Sequence, residues 1–333
     1  MGAHALVALS GGVDSAAALM TALESYEGMV RAAWVGTDDS ASPSDARRVA
    51  GYLGVPFEVV DARENFSEEV IRWSAGMLAR GLTPNPCARC NARIKLLSLF
   101  KILKDSEILV TGHHARMEGG LLHRGRDERK DQSYFLSMVE RGVLERCVFP
   151  VGDMTKERAR AAAESAGIPF RRKESMDLCF RIPSAEAPGV VADVEGRIIG
   201  RHDGIGNFTV GQRKGLGAYG KKVYVVSLDP VKRIVTVGSR DDLLSGGCLV
   251  RDMNWLVDPD PGRFVAVAQT RYRRRPAHAV IEKVDGGVRV EFREEEEAVA
   301  PGQVCAVYRG TVVLGGGIIG SATRRTEYGN EPG

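Results

Sequence analysis

The chain has no stretch of about 18 apolar residues, the length at which a membrane-spanning helix becomes credible. Its first residues, Met1-Gly2-Ala3-His4-Ala5-Leu6, lack the basic start and long apolar core of a secretory signal. They lead directly into a strand pattern, so a cytoplasmic location without membrane association is the expectation. An excess of one charge is also missing. Lys+Arg number 46 and Asp+Glu 43, which leaves only +3. Bulk electrostatics therefore does not announce a nucleic-acid binder. Cysteine is sparse, and six in 333 residues of such a chain are not a disulfide scaffold. Cys147, Cys248 and Cys305 stand in apolar contexts and read as buried structural thiols. No internal repeat or long low-complexity segment appears.

What remains is ordinary globular material: 44% hydrophobic and 27% charged residues, with a length that suits two or three domains. Ala5 to Leu9 is a short apolar run of the kind found in buried parallel strands. A helix pattern covers Asp14 to Glu24, and Arg31 to Val35 reads as a strand. Ser44 to Leu53 reads as a helix with Ser44 as N-cap, stopped by Gly54. Phe57 to Val60 and Ile108 to Val110 read as further strands, and Thr155 to Ala166 is the last long helical pattern. Such alternation implies α/β architecture, a parallel sheet covered on both faces, with ligands at the carboxyl ends of its strands. Glycine turns follow Leu9 and Val110 at two such ends.

Beyond Pro183 the pattern changes to glycine turns and short β-rich runs at Val190–Val194, Lys222–Leu228, Arg233–Val237, Phe264–Thr270, Ala279–Lys283 and Val304–Tyr308. The expected division is a catalytic domain over 1–182, a small β-rich central domain over 183–244, a β-barrel over 245–325 and a polar tail over 326–333. Arg271, Arg273, Arg274 and Arg275 surround Tyr272, a mixture suited to phosphates and bases. The acidic run Glu294 to Glu297 reads as a solvated loop or edge.

Three motifs carry chemistry. Ser10-Gly11-Gly12-Val13-Asp14-Ser15 lies between a strand and a helix. Its glycines allow close backbone approach to an anion, and the helix start offers unpaired N–H groups. Asp14 is odd in an anion site, and makes sense if it helps hold Mg2+ on a pyrophosphate. No Gly-Lys-Ser/Thr follows, so this is not a Walker loop. Next, Thr83-Pro84-Asn85-Pro86-Cys87-Ala88-Arg89-Cys90-Asn91 places a CxxC behind two stiffening prolines. A helix starting near Asn91 would favour thiolate there. Metal ligand, redox pair and structural coincidence all remain open for this pair. The third motif is Glu174-Ser175-Met176-Asp177-Leu178-Cys179-Phe180.

The loop resembles that of the ATP-pyrophosphatase superfamily, which has the adenine nucleotide alpha hydrolase-like fold. With the loop, the order Thr83-Pro84-Asn85-Pro86, Cys90-Asn91, Ile94-Lys95, Thr111-Gly112-His113-His114-Ala115-Arg116, Lys130 to Leu136, Cys179-Phe180 and Thr209 to Gly217 is similar to the bacterial tRNA-uridine 2-sulfurtransferase family. The resemblance covers most of the chain. It implies a nucleotide-binding domain, a small central domain and a C-terminal β-barrel. It implies ATP and Mg2+ as cofactors and tRNA as partner, with sulfur supplied by a carrier protein or cysteine desulfurase. ATP would adenylate the C2 oxygen of the wobble uridine, a persulfide would deliver sulfur, and AMP would leave.

Position by position, the resemblance implies that Cys179 carries the persulfide and that Cys90 is the nucleophile able to form a disulfide with it. Ala8, Leu9, Ser10, Gly11, Gly12, Val13, Asp14, Ser15, Val35 and Gly112 would bind ATP. Asn85, Pro86 and Cys87 would contact the target base, flipped from its stack. His113, Lys130, Asp131, Gln132, Arg271, Tyr272 and Gln303 would hold the tRNA. Many family members have Asp at the position of Cys87, which removes that acid/base group here. Cys87, Cys90 and Cys179 could instead hold a [4Fe-4S] cluster with one open iron. An amidating or ligating ATP pyrophosphatase is a further reading, which leaves the three cysteines and the β-rich half unexplained.

Overall fold

The computed structural model describes residues 4–39, 41–171, 182, 188–216 and 222–323. Cys179 and the rest of its motif, Glu174 to Phe180, lie outside the described residues. The chain divides into two compact units. The first comprises Met1–Val70, Cys87–Phe180 and Thr311–Val313; the second comprises Ile71–Pro86, Arg181–Gly310 and Leu314–Gly333.

The first unit is built on strands β1 (His4–Ala8), β2 (Val30–Gly36), β3 (Phe57–Asp61) and β4 (Glu107–Thr111), a hairpin of β5 (Ala115–Glu118) and β6 (Leu121–Arg124), and a short β7 (Cys147–Val148). Its sheet has the order β3-β2-β1-β4-β7, and every pairing in it is parallel. Ala5, Leu6 and Val7 are fully buried in the central strand. That explains their uninterrupted apolar run, because a central parallel strand is covered on both faces. Helix α1 (Val13–Ser25) buries Ala16, Ala17, Ala18, Leu19 and Ala22. Those small side chains let it pack closely on the sheet and on the helix Lys156–Ser165, which contributes Ala159 and Ala163 to the same core.

Helix α2 (Ser44–Tyr52) begins one residue away from expectation: Pro43 occupies the N-cap, and Ser44 is the first helical residue. Proline suits a helix entry because its φ is already near the helical value and it has no N–H to satisfy. At the opposite end of the sheet from the glycine turns, Arg31 reaches Glu107 through Nε and NH2, both at 2.7 Å, and pins β2 to β4.

In the second unit a four-stranded sheet contains β8 (Gly189–Asp193), β9 (Ile198–His202), β10 (Tyr224–Asp229) and β11 (Ile234–Gly238), in the order β10-β11-β8-β9. Its core is Val191, Ile205, Leu216, Val223, Val225, Val235 and Val237. The remaining strands, β12 (Leu244–Trp255), β13 (Arg263–Gln269), β14 (Ala277–Val284), β15 (Gly287–Glu297), β16 (Val304–Arg309) and β17 (Val312–Thr323), form a closed six-stranded barrel. Closure comes from antiparallel β12–β17 pairing, Gly247 opposite Thr323, which removes the exposed edges of an open sheet. The expected fold class, a parallel-sheet domain followed by a small β-rich domain and a barrel, is the one found.

The acidic run is strand and not loop, and Glu294 and Glu295 in it are solvent-exposed. Glu294 to Glu297 end strand β15, and Glu297 pairs with Arg240 and, at 3.1 Å, with Arg274. Like charges in sequence are tolerated here because opposite charges arrive from other parts of the fold.

Candidate active site

The glycine loop follows β1, between the neighbouring strands β2 and β4. Gly11 has φ +78°, and a Cβ there would lie 2.6 Å from the Asp45 Cβ and Ala46 N. Both the left-handed backbone and the lack of space demand glycine. Ser15 Oγ donates to Gly12 O at 2.9 Å and accepts from Ser10 N at 3.2 Å, closing the loop over the start of α1. The helical ladder begins with Ala16 N donating to Gly12 O at 3.0 Å. Val13, Asp14 and Ser15 N–H therefore stand ahead of it, as in other helix-start anion sites.

Of the expected ATP-binding positions, Ala8 ends β1, Leu9 follows it buried, Val35 is near the end of β2, and Gly112 comes directly after β4. All gather at the carboxyl ends of three adjacent strands, where open parallel sheets bind ligands. Gly112 has a packing reason of its own. A Cβ there would lie 2.6 Å from the Asp14 carbonyl carbon and 2.7 Å from Ser15 N, so the turn after β4 is pressed against the loop backbone.

Asp14 is held by two groups. His114 Nε2 is 3.2 Å from its Oδ1, and Lys156 Nζ donates to its Oδ2 at 2.5 Å. Burial works to raise the Asp14 pKa, but the hydrogen bonds and charges of His114 and Lys156 outweigh it and hold the carboxyl below its ordinary value. Lys156 is the first residue of its helix, whose N-cap Thr155 accepts from Arg158 N.

His113 connects the loop to the cysteine pair. Its Nδ1 lies 2.7 Å from Thr111 Oγ1 and its Nε2 3.1 Å from Asn91 Oδ1. Asn91 Nδ2 donates to Cys87 O at 3.0 Å. A carbonyl can only accept, so the amide orientation of Asn91 is fixed and its Oδ1 faces His113. The ring must then carry its proton on Nε2, while Thr111 donates to Nδ1. Burial, with Lys95 and His114 nearby, pushes the His113 pKa down to about 3, so the ring is neutral at physiological pH.

The CxxC lies differently from expectation. The helix starts at Pro86, not near Asn91, and runs Pro86–Cys90 before a π-helical turn over Asn91–Lys95. Proline is well placed at a helix start, where its missing N–H costs nothing. Cys87 is half-buried and Cys90 buried, one helical turn apart. Arg89 fastens this helix by Nε to Glu69 O at 3.0 Å and NH2 to Glu69 Oε2 at 2.5 Å.

Of the positions expected to hold tRNA, Asp131 and Gln132 turn inward. Asp131 accepts from Gly125 N, Ser133 N, Ser133 Oγ and Arg124 NH1, each at 3.0 Å. Gln132 Oε1 accepts from His114 N at 2.9 Å. Lys130 beside them is half-buried. In the second unit Arg271 NH2 donates to Val210 O at 2.5 Å, and Gln269 Nε2 donates to Arg271 O at 3.1 Å and Tyr272 O at 2.8 Å. Arg273 and Arg275 are exposed. Asn85 is half-buried and Pro86 buried.

A family model described as a tRNA methyl transferase HUP domain matches residues 3–183. A tRNA methyl transferase PRC-barrel domain matches 178–239, and an aminomethyltransferase beta-barrel domain matches 245–319. The tRNA-specific 2-thiouridylase MnmA of Acidithiobacillus ferrooxidans is 40% identical, over 95% of this chain and 97% of its own length. That of Carboxydothermus hydrogenoformans is 38% identical, over 94% and 96%. The chain belongs to the tRNA-specific 2-thiouridylase family. Among solved structures, the U34-tRNA thiolase NcsA from Methanococcus maripaludis with its [4Fe-4S] cluster is matched over 54% of this chain and 61% of that one. At 15% identity and a TM-score of 0.35 that likeness carries no weight.

Membership in the 2-thiouridylase family makes the chain an enzyme, and the geometry adds residues that sequence reading missed. Lys156 escaped notice because it looks like one lysine at a helix start. Its partner Asp14 is 142 residues away. His114 stood inside a quoted motif, without a role, until its ring was seen against Asp14. Asn91 likewise acquires a role only through His113. Among the described residues no group of three His, Cys, Asp or Glu side chains is placed to hold a metal ion, and no helix is long and apolar enough to cross a membrane.

Proposed function

We propose that the chain is an ATP-dependent 2-sulfurtransferase for the wobble uridine of tRNA. Family membership supports uridine thiolation in tRNA and the use of ATP. The observation that carries the site assignment is the turn after β4. Gly112 packs on the Asp14–Ser15 backbone, and His113 reaches Asn91, whose amide holds the Cys87 carbonyl. Three consecutive links thus join a nucleotide loop to a cysteine pair.

In this reading the uridine C2 oxygen attacks the α-phosphorus and pyrophosphate leaves. The terminal sulfur of a persulfide on Cys179 then attacks C2, and AMP departs with the former base oxygen. Cys90 thiolate attacks the Cys179 sulfur, which frees the 2-thiouridine and forms a Cys90–Cys179 disulfide that an external thiol must reduce. Ser10 to Ser15, with Ala8, Leu9, Val35 and Gly112, cradle ATP. Asn85, Pro86 and Cys87 meet the base, while His113, Lys130, Asp131, Gln132, Arg271, Tyr272 and Gln303 serve the tRNA side. A sulfur-carrier protein or desulfurase loads Cys179. The domains divide at 182 and 244, ahead of a barrel ending at 325.

Asp14 is the carboxylate available to Mg2+ at the loop, and Lys156 and His114 already engage both its oxygens. This donor set fits an ion carried on the phosphates and water, with one protein ligand at most. Such an ion supplies charge neutralisation on the departing pyrophosphate. The cluster alternative needs Cys87, Cys90 and Cys179 together. The one-turn spacing of the first two suits it, and the third, Cys179, lies outside the described residues.

The test is mass spectrometry of nucleosides after tRNA is incubated with the protein, ATP, Mg2+ and a persulfide source. One 2-thiouridine per AMP is expected. A Cys90→Ala, Cys179→Ala double variant that still thiolates would overturn the persulfide route, and an anaerobically purified brown protein would favour the cluster.

A further inference from the structure

The segment Leu82–Pro84, which feeds directly into Asn85, Pro86 and Cys87, is gripped by the barrel loop 300–303. Thr83 N donates to Pro301 O at 2.8 Å. Gln303 Nε2 donates to Thr83 O and to Pro84 O, both at 3.1 Å. A primary amide has two N–H donors, and both are spent on these carbonyls. Between them lies Gly302 with φ +93°, where a Cβ would sit 2.7 Å from Thr83 N and 2.9 Å from Thr83 O. The Gln303 main chain is itself fixed, since Ile319 N donates to its backbone carbonyl at 2.8 Å. On the other side, a Cβ on Gly81 would meet Leu228 O at 3.2 Å and Pro230 Cδ at 3.1 Å.

We propose that Gln303 is also a positioning residue for the thiolation reaction, one that sets the path of Thr83–Pro84 and hence the placement of the base-contacting residues. This rests on the proposed function of Asn85-Pro86-Cys87. The physical argument is one of slack. Pro84 and Pro86 have φ locked near −65°, so few free torsions separate the clamp from Cys87. A shift of the Pro84 carbonyl is passed to the helix start and not absorbed. Leu82 N donates to Met77 O at 3.0 Å and Pro84 has no N–H, so it is Thr83 and Pro84 that the barrel loop holds.

The experiment compares Gln303→Ala and Gln303→Glu with the parent chain. The second variant places a carboxylate against two carbonyls and should be the worse. At saturating tRNA, kcat for 2-thiouridine formation is expected to fall about tenfold to a hundredfold, the scale for a misplaced reacting group. That loss in kcat should stand beyond any rise in KM for tRNA, and ATP binding should be unchanged, since ATP meets none of these residues. Hydrogen exchange on the free protein supplies a readout independent of activity. Peptides covering 82–91 should lose protection while those in β13 to β16 keep it, and Gly302→Ala should give the same pattern. A raised KM at unchanged kcat, or unaltered exchange in 82–91, overturns the proposal. Failure of the parent chain to thiolate would overturn the proposed function instead, and the exchange result would stand apart from it.

Discussion

Replacement of Lys156 by Met keeps most of the side-chain volume and removes the charge nearest Asp14. The pair is 2.5 Å apart, with side-chain exposures of 10% for Lys156 and 26% for Asp14. Removal of one partner from a fully buried pair costs about 3–5 kcal/mol. The solvent reaching Asp14 and the surviving contact from His114 at 3.2 Å reduce that to about 1–3 kcal/mol at pH 7. The pH dependence is the sharper test. Asp14 is held below its ordinary value in the folded chain because His114 and Lys156 outweigh burial. A depressed carboxyl contributes stability that is present above the unfolded value of about 3.9 and is lost as pH falls through the folded value. Without Lys156, His114 alone opposes burial and the advantage shrinks. Urea unfolding at several pH values should therefore show a gap between parent and Lys156→Met that is largest near pH 7 and closes below about pH 4. Combination with Asp14→Asn should reveal a coupling of about 1–2 kcal/mol. A gap under about 0.5 kcal/mol at pH 7, or one independent of pH, refutes the reasoning.

Gly112→Ala forces a Cβ to within 2.6 Å of backbone that cannot rotate away, so overpacking of about 1–3 kcal/mol and at least a tenfold loss of tRNA-dependent AMP formation are expected. Unchanged AMP formation would count against the close approach. His113, with a pKa of about 3, should show a neutral ring protonated on Nε2 in nitrogen NMR at pH 5.5, and an imidazolium signal would break the Thr111–His113–Asn91 chain. Cys147 is pushed up to about 12 by burial, and Cys248 is raised by its hydrogen bond with Cys305 and by burial. A thiol reagent should leave these three unlabelled in the native protein and modify all six cysteines after denaturation, with early native labelling of Cys248 contradicting the buried pair.

Where the chain repeats a local rule, sequence was enough to read it. The run Ala5 to Leu9 has no polar residue because β1 is central, and the change after Pro183 marks the passage from an all-parallel sheet to a mixed sheet and a barrel. Terminal residues were harder. Pro86 was read as stiffening an approach, but it begins a helix, since the same fixed φ serves both uses. In the acidic run the solvated reading holds for Glu294 and Glu295, but the pairing of Glu297 was not legible because Arg240 and Arg274 are distant in sequence. Gln303 and Thr83 are 220 residues apart, and nothing local to either announces a clamp. Contacts of that kind belong to tertiary packing, and a motif records only that a residue matters, without saying what it touches.

Asp14 shows how far the two levels can differ at one position. A carboxylate beside a phosphate-binding loop is repulsive if bare, and sequence alone resolves the conflict only by adding a cation from outside. The fold supplies one from within. Lys156 brings a positive charge to 2.5 Å from Oδ2, and the N-terminus of α1 favours the same carboxylate. The Asp14–Lys156 pair therefore carries no net charge, and the loop can accept an anion without first recruiting a metal ion. The exposed part of Asp14 still leaves an oxygen within reach of an ion that arrives on the phosphates. Stability and ligand binding thus draw on the same two side chains. Loss of Lys156 should consequently weaken nucleotide binding more than loss of Asp14, because Lys156→Met leaves a carboxylate facing the phosphates, whereas Asp14→Asn leaves an ammonium. Calorimetric titration of the two variants with ATP decides this, and equal or reversed losses would show that Asp14 acts chiefly as a metal ligand.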